Sequence, residues 1–342
     1  MVFSKSVYGN GVKVTPYNLD FDISICCSEG GFIERENCWF ENMYYPMEEE
    51  RGLHAYEDHY IPGFFEVSME PGAESYVTLT ANIGDGMETR DGRMLIKKEE
   101  QRIKRVLEMS GCGDGFALKL VRAADDFIVY RQSTGAKTII AGYPWFSDWG
   151  RDAMIAFPGL TLATRRFQDA REILLTFARY SKDGLIPNMF PDEGREPAYN
   201  SVDAALWYFQ AVDKYLEYTR DYSFIMENIY PSLKAVLEAY IDGTVFGIGM
   251  DRDFLITAGN ARTQLTWMDA KVGDWVVTPR NGKAVEINAL WYNALKIIIK
   301  LGSAYGEDMS EYTGAAEGAR TSFEKIFWNE DEGCLYDVVA GD

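Results

Sequence analysis

Residues 143–157 read YPWFSDWGRDAMIAF. Tryptophans and other rings crowd around two aspartates and an arginine, and an apolar run follows at once. One reading is a helix start near Arg151, with Ser147 or Asp148 as its cap, because both residue types accept hydrogen bonds from the free N–H groups of a first turn. The other is a sugar site, in which hydroxyl edges meet Asp and Arg while apolar C–H faces lie on flat rings. The stretch also stands where the hydrophobic period changes. Before it the chain favours strands; after it the chain favours helices.

Downstream, Ile173, Leu174, Phe177 and Ala178 recur at helical spacing, as do Val202, Ala205, Leu206, Phe209, Val212 and Leu216. Ile225, Ile229, Leu233, Val236, Leu237 and Tyr240 repeat the pattern, and so do Ile287, Leu290, Trp291, Ala294, Leu295 and Ile298. Six or seven helices are expected between 150 and 330, with no strand pair among them. Two connections, 183–200 and 250–285, are long and rich in Gly, Pro and Asp. Long ordered loops in a compact helical domain are usually functional.

Upstream, FFEVSM (64–69), a turn at EPGAE and SYVTLTANI (75–83) alternate with period two and predict a hairpin. Residues 1–92 are expected to form an antiparallel β-sandwich, in whole or in part. Residues 93–142 read as a helical linker: one helix over 94–110, a second over FALKLVRAADDF, and a small hairpin about STGA. Residues 143–342 form the helical domain. The fold class is thus multidomain, β followed by α.

The chain carries 34 basic and 53 acidic residues, a net charge of −19. Such a field repels phosphate backbones and anionic lipid, so no nucleic-acid or membrane partner is expected, and a neutral substrate is compatible with it. No window is apolar for long enough to cross a bilayer, and the first thirty residues lack a leader's basic-then-apolar pattern. Five cysteines without a C-x-x-C pair read as reduced thiols in a cytoplasmic protein. The two histidines, His54 and His59, show no metal-motif spacing. No metal or cofactor is expected, and chemistry would fall to carboxylates.

Three loops share a composition of indoles beside carboxylates. They hold Trp145, Asp148, Trp149, Arg151 and Asp152; then Tyr199, Asn200, Asp203 and Trp207; then Trp267, Asp269, Asp274, Arg280, Glu286 and Trp291. An indole lowers the dielectric around a neighbouring carboxyl and can raise its pKa, which a general acid needs at neutral pH. Simpler roles exist for several: Arg151 and Asp152 as an ion pair, Trp207 and Trp291 as core. Asp203 lies off the apolar face of its helix, which predicts solvent or a cavity around it. Asp269 sits in a loop with no helical register to explain it, and Asp274 is its local competitor.

Taken together, YPWFSDWGRDAMIAFPGL, IPNMFPDEGREPAYNSVDAALW and TWMDAKVGDWVVTPRNGKAVEINALWYNAL resemble the amylo-α-1,6-glucosidase family, the glucosidase part of glycogen debranching enzymes. A fainter likeness to glucoamylases shows in W-x-R-D and in P-x-x-N-x-x-D. The resemblance implies an (α/α)6 barrel preceded by a β-sandwich. It implies inverting hydrolysis, without a cofactor, of the single α-1,6-linked glucose left at a trimmed branch of an α-glucan. Asp269 would then be the general acid, Arg151 and Asp152 would hold the glucose hydroxyls, and Trp149 and Trp267 would form walls. Asn200, Asp203 and Arg280 would line the same pocket, with Glu286 a further pocket residue. The family's general base lies well beyond the TWMD loop, and about half the helices of a full barrel are in view. The expectation is a piece of such an enzyme, inactive alone, whose uncovered apolar faces a homo-oligomer contact would shield. The alternatives are a glucoamylase-like or trehalase-like hydrolase, or a carbohydrate-binding protein without catalysis.

Overall fold

The structure is a computed structural model that describes residues 3–17, 21–84, 91–144, 146–191 and 195–339. Trp145 lies outside the described residues, as do 192–194 in the first long loop. The chain divides into two compact units, Met1–Lys104 and Arg105–Asp342.

In the first unit β1 (Phe3–Tyr8), β2 (Gly11–Pro16) and β3 (Ile23–Cys27) pair antiparallel in sequence order. β4 (Gly31–Tyr44) and, after a short helix α1 (Pro46–Glu50), β5 (Tyr56–Glu66) form a separate long hairpin with two register shifts. β6 (Leu79–Ile83) returns to pair with β3 and completes a four-stranded sheet. The sheet touches the hairpin where the Phe3 and Tyr60 rings stand 4.0 Å apart. Gly63 is needed in the hairpin because a Cβ there would lie 2.3 Å from the Ile33 carbonyl oxygen.

The expected hairpin between 64–69 and 75–83 is a misassignment. Phe64 pairs with Ile33 of β4, and Leu79 pairs with Cys27 of β3. The EPGA turn does form, with Ala73 N–H donating to the Glu70 carbonyl at 3.1 Å. Alternation identifies a strand without naming its partner, and both segments pair with strands earlier in the chain.

α2 (Gly92–Ser110) spans the division between the units; α3 (Gly115–Asp125) and the small hairpin β7 (Ile128–Arg131) and β8 (Ala136–Ile139) follow. The helical body is α4 (Gly150–Phe157), α5 (Phe167–Arg179), α6 (Asp203–Thr219), the single turn α7 (Tyr222–Phe224), α8 (Tyr230–Asp242), α9 (Val285–Tyr305) and α10 (Ser310–Ile326). Its core is built from the faces that the helical period marks. All the periodic apolar positions named above are buried except Leu290, which is partly so. Phe157, Phe177, Tyr208, Phe209, Tyr240, Trp291 and Phe327 are large rings within it, each fully enclosed.

Strand pairs do occur between 150 and 330, against expectation, although each is only two residues long: Gly249–Met250 with Ile256–Thr257 and Lys271–Val272 with Trp275–Val276. Two more, Lys283–Ala284 with Val338–Val339 and Trp328–Asn329 with Cys334–Leu335, reach beyond that range. Ladders this short leave no legible period. Among the described residues no helix is long and apolar enough to cross a membrane.

The start of α4 also departs from its simple reading. Trp149 is the N-cap and offers no side-chain cap. Asp148 is fully buried and does not cap; it accepts from Arg131 Nε at 2.8 Å and from Thr138 Oγ1 at 2.8 Å. Gly150 begins the helix because nothing larger fits: a Cβ would stand 2.1 Å from the Pro187 carbonyl oxygen. Backbone against backbone cannot yield cheaply, so Gly150→Ala is expected to destabilise the helical unit by about 1–3 kcal/mol. Chemical denaturation checks this; a cost under about 0.5 kcal/mol would show that the 183–200 loop moves aside freely.

Candidate functional site

Three segments far apart in sequence converge at the first turn of α4. Gly150 N–H donates to the Asn188 carbonyl at 2.8 Å, and Trp149 bridges Met189 antiparallel, which ties the loop 183–200 to the helix start. Met189 in turn bridges Ala198, and Val202 N–H donates to the Leu265 carbonyl at 2.9 Å, bringing the third segment alongside. An open cavity of about 380 Å³ lies here, lined by Ala141, Phe146, Trp149, Arg151, Asp152 and Asp269.

Arg151 organises the floor. Its Nε donates to Asp203 Oδ2 at 2.5 Å, its Nη2 to the Thr266 carbonyl at 2.8 Å, and its Nη1 to Asp269 Oδ2 at 3.3 Å. Burial pulls the guanidinium's pKa down, but Asp203 and then Asp269 more than offset it, so the net direction is up and the group stays charged. Asp203 is itself buried and takes a second hydrogen bond from Ser201 Oγ at 2.5 Å. It does not face solvent or open space, as its register suggested. A charge 52 positions earlier in the chain makes its burial tolerable.

Asp152 is different. Among the described residues no hydrogen bond or ion pair engages its carboxylate, and it does not pair with Arg151. Neighbours on a helix do not face each other. The cavity therefore holds one committed carboxylate and one open to a ligand.

Beside the cavity stands a second cluster. Arg280 is buried, donates from Nη1 to Thr266 Oγ1 at 2.9 Å, pairs with Glu286 through both terminal nitrogens, and reaches Asp337 Oδ1 at 2.6 Å. Its pKa is raised, first by the Glu286 contact, and it holds the Asp337 carboxyl below the ordinary range. The guanidinium carbon lies 5.8 Å from the Trp267 ring centroid, and that indole is 60% exposed. Thr266 thus joins the two arginines.

The residues named from sequence fall into three groups. Trp149, Arg151, Asp152 and Asp269 line one cavity. Asp203, Arg280, Glu286 and Trp267 sit behind or beside it, linked through Arg151 and Thr266. Asn200 is not in the lining; its Oδ1 accepts from Asn188 Nδ2 at 3.2 Å. Asp274 is exposed at the tip of the Lys271–Val276 hairpin, outside the cavity lining. Sequence reasoning missed Thr266 and Asp337, and only the spacing of TWMD from Arg280 could have hinted at the first. Among the described residues no group of three or more His, Cys, Asp or Glu is placed to hold a metal ion.

Residues 122–342 match the family described as amylo-alpha-1,6-glucosidase, and residues 1–76 match the one described as glycogen debranching enzyme N terminal. The glycogen debranching enzyme of Saccharomyces cerevisiae is 30% identical where it aligns, over 56% of this chain and 16% of its own length. The chain therefore spans a small part of that relative. A GH78 family rhamnosidase of Bacillus sp. GL1 superposes on 67% of this chain and 22% of its own, with TM-score 0.42 and 15% identity. A rhamnosidase from Klebsiella oxytoca with rhamnose bound covers 99% and 66%, with TM-score 0.46 and 11% identity.

Proposed function

The chain belongs to the amylo-alpha-1,6-glucosidase family, whose match takes in residues 122–342, and from that premise we propose that the cavity at the start of α4 receives the terminal glucose of an α-1,6-linked stub on a branched α-glucan. The reaction is hydrolysis of that linkage. One observation carries the proposal: an indole, a guanidinium and two carboxylates surround a single cavity, and one of those carboxylates, Asp152, has no partner among the described residues.

In this reading the Asp152 carboxylate accepts hydrogen bonds from sugar hydroxyls, and the Trp149 ring supplies a flat apolar wall, with the exposed Trp267 ring beside the cavity. Asp269 is the general acid that gives its proton to the glycosidic oxygen as the bond to the anomeric carbon breaks. Inversion then needs a second carboxylate across the ring, about 6.5–9.5 Å from the acid, to take a proton from the attacking water. Arg280, held by Glu286 and Asp337, fixes Thr266 and so the base of the TWMD turn. The helices from α4 onward belong, on this proposal, to an (α/α)6 catalytic domain, and the strands of the first unit to the sandwich before it. All five cysteines are free thiols, which fits a reducing cytoplasmic compartment.

Calorimetric titration with glucose, isomaltose and a branched limit dextrin tests the site directly. Saturable binding is expected, and Asp152→Ala is expected to weaken it about 10- to 100-fold, the worth of charge-assisted hydrogen bonds lost from a site (about 1.5–3 kcal/mol). A folded chain that binds none of the three sugars, or an Asp152→Ala variant that binds them as well as the parent, would overturn the proposal.

A further inference from the structure

The resemblance places the Arg151 guanidinium on the sugar. Its contacts point elsewhere. Each of its three nitrogens makes one contact within the protein, Nε to Asp203, Nη2 to the Thr266 carbonyl and Nη1 to Asp269, which uses three of its five N–H donors. Only 13% of the side chain is exposed. The partner that holds it hardest, Asp203 at 2.5 Å, is buried with 2% of its side chain exposed, and so is unavailable to a ligand. Successive helical residues point about 100° apart, so Asp152 can face the cavity while Arg151 turns inward beneath it.

Thr266 is gripped from both sides, its carbonyl by Arg151 and its hydroxyl by Arg280. The second arginine is itself anchored by Glu286 and Asp337. The turn that carries Asp269 therefore hangs between two guanidiniums supplied by different parts of the chain. A fork of planar donors suits this task, since it fixes direction as well as distance. A loop acid held this way is already in place when substrate arrives, and orientation set in advance is a large part of catalytic rate.

We propose that Arg151 is a positioning residue for Asp269, anchored by Asp203 and holding the TWMD turn through the Thr266 carbonyl, and that recognition of the sugar hydroxyls falls to Asp152. The inference rests on the proposed function for the role of Asp269, but the clamp itself is a property of the ligand-free chain. The three contacts are graded. Acid catalysis asks Asp269 to leave its ion pair, and at 3.3 Å that contact is the longest of the three, so it yields while the 2.5 Å and 2.8 Å contacts keep the turn in place.

The test is backbone 15N relaxation across residues 266–270, read beside isomaltose binding by calorimetry, on the parent, Arg151→Lys and Asp203→Asn. Lysine keeps a positive charge near Asp203 and cannot span all three partners. Order parameters in 266–270 are expected to fall from about 0.85 in the parent to below about 0.6 in both variants, while isomaltose affinity changes by less than tenfold. Unchanged order parameters in either folded variant overturn the proposal. So does a loss of affinity beyond tenfold in Arg151→Lys, which makes Arg151 a sugar ligand. Should the parent bind no isomaltose, the proposed function fails, and the order parameters alone still decide the clamp. If Arg151→Lys does not fold, as judged by circular dichroism, Asp203→Asn carries the decision.

Discussion

Asp269→Asn is expected to bind isomaltose about as tightly as the parent chain and to release glucose from a branched α-glucan about 10²–10⁴ times more slowly, the usual worth of a positioned general acid. Asparagine matches the shape of aspartate and can still meet Arg151 and a hydroxyl, so the cavity and the TWMD turn stay formed. It has no acidic proton, so the glycosidic oxygen must leave without protonation. The signature is a fall in kcat with little change in KM, because the lost interaction exists only in the transition state. A variant that keeps its turnover would move the acid role away from Asp269. Glucose release absent from the parent, with sugar binding intact, is the outcome expected of a piece that is inactive alone, and the acid role of Asp269 is then read from a protein that also supplies the second carboxylate.

The second large effect lies just behind the site. Arg131→Met is expected to destabilise the helical unit by about 3–5 kcal/mol, the cost of leaving a buried charge without its partner. Asp148 is fully buried, and Arg131 faces it with two nitrogens, Nε at 2.8 Å and Nη2. The same guanidinium reaches the Pro191 carbonyl at 3.3 Å. Methionine fills much of the volume and offers no charge and no donor. Burial already pushes the Asp148 carboxyl above its ordinary pKa, with Arg131 and Thr138 opposing. Removing Arg131 takes away the larger opposing influence and pushes it further.

The sign of the pH effect follows. An acid whose folded pKa is raised costs stability above that value, where the folded state must carry the charge, and the cost vanishes below the unfolded value. The Arg131→Met deficit is therefore expected to shrink as pH falls from neutral toward the ordinary carboxylate range. Urea unfolding of parent and variant across that range measures it. A deficit below about 1 kcal/mol at neutral pH, or one that grows on acidification, would contradict the account of Asp148 as a charge kept buried by Arg131. Because Asp148 immediately precedes Trp149, its loosening is also expected to disturb the wall of the cavity.

The helical faces were legible in the sequence, because burial on one side of a helix writes a 3.6-residue period that no partner needs to complete. Ile173, Leu174 and Phe177, or Ile287, Trp291 and Leu295, could be assigned to the core from spacing alone, and each is at most 1% exposed. The aromatic and acidic loops were legible too, as composition, and the family likeness rested on them. Strand partners were not. A period of two marks 64–69 and 75–83 as strands with equal clarity whether they pair with each other or with β4 and β3.

Charge partners were equally hidden. The register of Asp203 predicted solvent or a cavity around it, and it is buried because Arg151 supplies a counter-charge across 52 residues. Asp148 looked like a cap and is the anion of a buried ion pair. Sequence by itself determined which residues are indoles, carboxylates and guanidiniums, and which helix faces must turn inward. Tertiary structure alone decided that Asp269, 118 positions from Arg151, hangs from it while Asp152 is left open to a ligand. The physical reason is that hydrophobic burial is local and periodic along the chain, whereas a buried charge is made tolerable by whichever opposite charge the fold delivers to it.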